Sequence, residues 1–174
     1  MLKFSRFFII IFTILLCSEV YAQDKVVIMD LRFVLNESKA GKNAQEFLKK
    51  SYNNNIKKFK DIEAALKKEE EDLLTKKTVL SKDEYIKKSD SLRKKVIDYK
   101  SQRRAAMDKI TTQRSESRET LIKSVEPILE EYIKENNISV VINKANTLGG
   151  NPENDITKII VEKLNKVLPS LDLK

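Results

Sequence analysis

The chain has no histidine, and its only cysteine, Cys17, lies in an apolar N-terminal stretch. Cys/His zinc sites and Ser/His or Cys/His nucleophilic pairs are therefore excluded, as are disulfides within a chain from which that stretch has been removed. Gly41, Gly149 and Gly150 are its three glycines, so no phosphate-cradling loop of the Walker or dinucleotide type can be written. Catalysis would have to rest on carboxylates, lysines and hydroxyls alone. Asp and Glu are plentiful, yet they alternate with Lys along presumed helix faces, where solvated charge is the ordinary reading. The expectation is a protein that is not an enzyme, with no catalytic residue, metal site or cofactor.

The residues that could act are basic. The chain carries 34 Lys and Arg against 26 Asp and Glu, a formal charge of +8. From Lys87 to Lys109, Lys87, Lys88, Arg93, Lys94, Lys95, Lys100, Arg103, Arg104 and Lys109 face only Asp90, Asp98 and Asp108, a local excess of +6. Such a stretch attracts anionic partners or lipid head groups, while the plainer reading is a helix face whose charge keeps the protein soluble. Tyr52, Phe59, Tyr85 and Tyr99 are better explained by packing between helices than by contact with a bound partner.

Elements must hold these residues. Residues 1–22 read as a signal peptide: Lys3 and Arg6 precede the apolar run Phe7 to Leu16, and Val20, Tyr21 and Ala22 offer a cleavage site before Gln23. The apolar run is well short of the ~20 residues that span a bilayer. Bulky Leu16 before Cys17 argues against a lipoprotein signal. The expected product is an exported chain with the signal removed after Ala22.

Val26, Val27, Ile28 and Met29 form a β-branched run suited to a buried strand, and Ile138 to Ile142 form a second that could pair with it. Between them, residues 42–135 hold no Gly and one Pro. A seam can be counted at alternating spacings of four and three: Leu48, Tyr52, Asn55, Phe59, Ile62, Leu66, Glu69 and Leu73, six of the eight apolar, then Leu92, Val96, Tyr99, Arg103, Ala106, Ile110 and Gln113, five of the seven apolar. Two long helices with a narrow, coiled-coil-like seam are expected. The run Gln113, Ser117, Leu121, Val125 steps by four each time, a stutter that unwinds a supercoil, before Ile128 and Tyr132 continue the seam. A Ser-x-x-Glu capping box at Ser81 and Glu84 restarts a helix and places the hairpin turn near residues 75–81.

Asn53 to Asn55 are poor helix formers in the first helix, and Pro127 should kink or break the second. Asp155 or Thr157 caps a final helix running through Ile159, Ile160, Leu164, Val167 and Leu168. The expected organisation is a helical hairpin at 42–135 on a body made from 23–41 and 136–174. A hairpin of that length buries little core per residue, so self-association is the expected route to stability.

The strand Val26 to Met29 with Asp30, followed by Val34, Leu35, Asn36, Glu37, Ser38, Ala40, Gly41 and Lys42, resembles the N-terminal motif of the OmpH family. The strand Ile138 to Ile142 with Asp155, Ile156, Thr157, Val161 and Leu164 resembles its C-terminal motif. The resemblance covers essentially the whole chain after residue 22. It implies a mainly α fold with a small β body, assembled as a jellyfish-like homotrimer whose hairpins hang as tentacles around a cavity. Val26, Val27, Ile28, Met29, Val140, Val141 and Ile142 would build the oligomerisation body. It further implies ATP-independent holding, in the periplasm, of unfolded outer-membrane β-barrel proteins, which aids their delivery to the outer membrane. Anionic lipid or lipopolysaccharide stands as a further partner on grounds of charge and not of the resemblance. The segment Asn143 to Gly150 is poor in the residues of a further body strand, which leaves the strand count open. Two other functions stand beside this one: a structural coiled-coil adaptor of the cell envelope and, less favoured because acid and base mix so regularly, a basic nucleic-acid binder.

Overall fold

A computed structural model describes residues 24–173; the expected signal peptide lies outside the described residues. The order of elements is β1 (Lys25–Met29), α1 (Leu31–Glu37), α2 (Lys39–Thr75), α3 (Lys82–Glu135), β2 (Ile138–Asn143) and α4 (Thr157–Val167). Two single 3-10 turns, Lys144–Asn146 and Pro152–Asn154, separate β2 from α4. The fold is mainly helical, with a long helical hairpin, α2 and α3, and a two-stranded sheet. At 54 residues, α3 extends about 80 Å at 1.5 Å per residue.

The strands run parallel, so the whole hairpin serves as their crossover. Val26 pairs with Val140 and Ile28 with Ile142. Alternation along β1 sends Val27 and Met29 into the core, where they meet Val34 and Leu35 of α1, Ile160 and Leu164 of α4, and Leu121, Val125 and Ile128 of α3. The last turns of α3 therefore belong to the body's core as well as to the hairpin. Burying an aliphatic side chain fully is worth about 1.5–3 kcal/mol, so this cluster is the main store of stability.

Side-chain caps start α1, α2 and α3, whereas the N-cap of α4, Ile156, has none and Asp155 before it accepts from Thr157 N. Asp30 caps α1 by accepting from Phe33 N at 2.9 Å. Ser38 ends α1 and starts α2: its N–H donates to the Val34 carbonyl at 3.2 Å and its Oγ accepts from Gly41 N at 3.2 Å. The next donor of α2, Lys39 N, is satisfied from the far end of the chain, by Asn165 Oδ1 at 2.7 Å. At the hairpin turn Ser81 and Glu84 complete the capping box, each side chain bonded to the other's backbone N–H. Asn137, φ 49°, reverses the chain after α3 in the left-handed region that Asn tolerates.

One expectation is corrected, and two points that the sequence left open are answered. Pro127 does not break α3, which continues through it to Glu135. The ring lies on the solvent side, so the Lys123 carbonyl it orphans is open to water, while the neighbouring Val125 and Ile128 are buried in the body. Asn53 to Asn55 likewise leave α2 uninterrupted. Ala145, Thr147 and Leu148 form no further strand: residues 144–146 make a 3-10 turn and the Leu148 side chain is fully exposed.

Candidate functional site

The sheet has one face against the core and one face open. The outward positions of the paired strands, Val26, Ile28, Val140 and Ile142, form a cluster of β-branched side chains, with Val140 49% exposed. The edges also differ. Ile156 N donates to the Ile28 carbonyl at 3.0 Å and Asp155 bridges Ile28, which covers the outer edge of β1. Among the described residues no strand covers the outer edge of β2. An apolar sheet face beside an unpaired edge is a surface that proteins usually protect or use for association.

Of the expected body residues, Val26, Ile28, Val140 and Ile142 lie on this open face. Val27 and Met29 are turned inward, and Val141 packs partly against the same core. Their alternation follows from the period of two in a strand, which a list of apolar residues does not resolve into faces.

A polar network fastens the site to α4. Asp30 N donates to Thr157 Oγ1 at 2.9 Å, and Thr157 donates its hydroxyl and its N–H to Asp155 Oδ1. Lys144 Nζ meets the other Asp155 oxygen at 2.6 Å. Burial pushes the Asp155 carboxyl up, but Lys144 and Thr157 together outweigh it and hold the group below the ordinary carboxylate range. The bond to Asp155 holds Lys144 above its own ordinary value. This network gives Asp30 and the Asp155-Ile156-Thr157 segment a common structural role: they join the end of β1 to the start of α4.

Along the hairpin the seam is thin. Leu48, Phe59, Leu92, Ile110, Gln113, Ser117 and Leu121 are buried, whereas Ile62, Leu66, Leu73 and Val96 are only partly so. The Phe59 and Tyr99 rings meet edge to face at 6.0 Å, and Tyr99 donates to Glu63 Oε2 at 2.9 Å. Towards the tip apolar side chains emerge into solvent, with Leu74 and Ile97 each 59% exposed and Val79 78%. A groove of 710 Å³ runs beside them, floored by Leu66, Leu73, Tyr85 and Val96.

All nine residues of the basic stretch are exposed, on several faces of α3. Lys95 crosses to Glu69 of α2 at 2.6 Å, and Arg93 and Arg104 pair with Asp90 and Asp108 on their own helix. Arg103 donates to Tyr99 Oη at 3.5 Å. Lys87, Lys94, Lys100 and Lys109 have no ion-pair partner among the described residues. The acidic run Glu69 to Asp72 lies on α2 opposite this part of α3, so the field of the outer hairpin is more mixed than one helix alone indicates. Sequence reading passed over Arg114 and Arg118, which sit one turn apart on α3 beside Ser117 at the hairpin base. Their signal is the i, i+4 spacing of two arginines flanking a seam position.

Among the described residues, no group of three or more metal-binding side chains comes together and no helix is long and apolar enough to cross a membrane.

Comparison with known proteins gives a consistent result. Residues 25–164 match the model of a family described as outer membrane protein (OmpH-like). A Skp-like protein of Pseudomonas aeruginosa is 22% identical over 167 residues, covering 96% of this chain and 99% of that protein. The crystal structure of an OmpH-like outer membrane chaperone candidate from Caulobacter crescentus superposes with a TM-score of 0.80 at 18% identity. That match covers 88% of this chain and 90% of the other, and it shows a shared fold.

Proposed function

Since the chain belongs to the OmpH-like family of outer membrane proteins, we propose that it is a periplasmic holdase, a non-enzymatic chaperone that binds unfolded outer-membrane β-barrel proteins and prevents their aggregation without ATP. On this reading residues 1–22 are the signal peptide and are removed after Ala22, and the chain acts as a homotrimer.

The observation that carries the proposal is the division of labour within one chain. A small body presents an apolar sheet face, and a hairpin that buries only a thin seam projects from it with Leu74, Val79 and Ile97 exposed. Three bodies joined through Val26, Ile28, Val140 and Ile142 would set three hairpins around a shared space. A client there meets many weak apolar and charged contacts. Weak contacts release by mass action, which removes the need for a nucleotide.

The test is light scattering when a urea-unfolded outer-membrane β-barrel protein is diluted into buffer containing the mature chain, without nucleotide. Suppression that saturates near one trimer per client is expected. Unaltered aggregation by a chain shown to be folded would overturn the proposal and favour the envelope adaptor, which binds a folded partner.

A further inference from the structure

A groove of 550 Å³ lies between α2 and α3 at the base of the hairpin, away from the basic stretch of the outer half. Its floor is apolar, made by the buried side chains of Ala44, Leu48 and Leu121, and Leu35 of α1 lines it at the body end. Its rim is cationic: Lys49 on α2, with Arg114 and Arg118 on α3. No Asp or Glu lines the groove. On α3 Arg93 is matched by Asp90, Arg104 by Asp108 and Lys123 by Glu119, while among the described residues Lys87, Lys94, Lys100 and Lys109 of the outer half are unpaired but line no apolar floor of this groove. Among the described residues Lys49, Arg114 and Arg118 take part in no ion pair.

Apolar floor and unmatched cations together define an occupant with an apolar group next to an anion. We propose that this groove receives the C-terminal residue of an unfolded client, its apolar side chain on the Leu48 and Leu121 floor and its terminal carboxylate between Arg114 and Arg118. The inference rests on the chaperone reading above. A guanidinium presents a rigid fork of donors that matches a carboxylate, and two of them one turn apart can share its two oxygens. The α1 wall at the body end favours a chain terminus, because an internal segment must leave at both ends. Tyr52, 47% exposed, adds a hydroxyl donor towards the tip end of the groove. A floor already apolar and a rim already charged need little reorganisation to bind, which matters for a weak site.

The test uses the mature chain and a fluorescent hexapeptide ending in leucine, prepared once with a free carboxylate and once as its amide. Fluorescence anisotropy should show the acid binding about tenfold tighter than the amide, as a bidentate charge-assisted pair requires. In Arg114→Gln/Arg118→Gln that preference should disappear while binding of the amide is unchanged. Both arginines are exposed, so far-UV circular dichroism should show the helicity retained. Equal binding of acid and amide, or a preference that survives the double substitution, overturns the inference. So does a double substitution that abolishes binding of phosphatidylglycerol vesicles and leaves the peptide preference intact, which assigns the groove to lipid. If the wild-type chain suppresses aggregation of an unfolded barrel yet shows no acid preference, only the groove inference falls. If it fails to suppress aggregation, the chaperone reading itself falls.

Discussion

The backbone N–H of Asp30 donates to the hydroxyl of Thr157 at 2.9 Å, although 127 residues and the whole hairpin separate them. Thr157 is buried, and its hydroxyl is also the donor to Asp155, so one oxygen serves as acceptor and donor in a single link. Replacement by valine keeps the shape and removes both bonds, which leaves the Asp30 N–H unsatisfied. Thr157→Val should lower stability by about 1–3 kcal/mol, whereas Thr157→Ser should lose less because the hydroxyl remains. Urea unfolding followed by circular dichroism measures both.

Asp155 makes part of that stability depend on pH. Its folded-state pKa is held low by Lys144 and Thr157, so its contribution is fully present above the unfolded value, near 4, and is lost as pH falls through the lower folded value. Asp155→Asn should cost about 1 kcal/mol at pH 7. The gap between wild type and variant should close in urea titrations repeated towards pH 3. A gap that stays constant would place the effect in packing and not in the charge.

Gly41 sits in the first turn of α2, where an alanine would normally gain up to about 1 kcal/mol of helix propensity. Here a Cβ would overlap the carbonyl oxygen of Leu35, a backbone atom held by the turn at Ser38. Overpacking of that kind typically costs about 1–3 kcal/mol, so the clash outweighs the propensity gain. Gly41→Ala should therefore destabilise the protein, and a higher thermal midpoint in the variant would show that α1 can move away.

Local features of this chain are legible in its sequence and long-range ones are not. The hairpin seam was legible because helical spacing is a local signal: Leu48, Phe59, Leu92 and Ile110 are buried where the four-three count puts them, and the stutter positions Gln113, Ser117, Leu121 and Val125 follow it. The capping box at Ser81 was legible for the same reason. Pro127 misled because the rule against interior proline is also local, while the burial of Val125 and Ile128 on either side is not. The links between Asp30 and Thr157 and between Lys39 and Asn165 join distant segments, and no spacing rule predicts such pairs. Arg114 and Arg118 were overlooked because counting charge along one helix finds excess and not the apolar floor supplied by the other.

Val140 and Val27 carry the same side chain on paired strands with opposite fates, and this separates folding from the assembly proposed above. Val27 is 1% exposed within the core, whereas Val140 is on the open face with Val26, Ile28 and Ile142. A carboxylate at position 27 would be buried without a partner, so Val27→Asp should unfold the body and abolish the cooperative transition. A carboxylate at 140 meets water in the isolated chain, and in a symmetric assembly joined through this apolar face it would be buried beside its own copies, each of which brings one. Val140→Asp should therefore keep its helical circular dichroism and lose self-association in sedimentation equilibrium. The dissociated chain should then suppress aggregation of unfolded barrels poorly, since one hairpin encloses no space. A variant that still assembles would move the self-association surface off the sheet and onto the hairpin or α4.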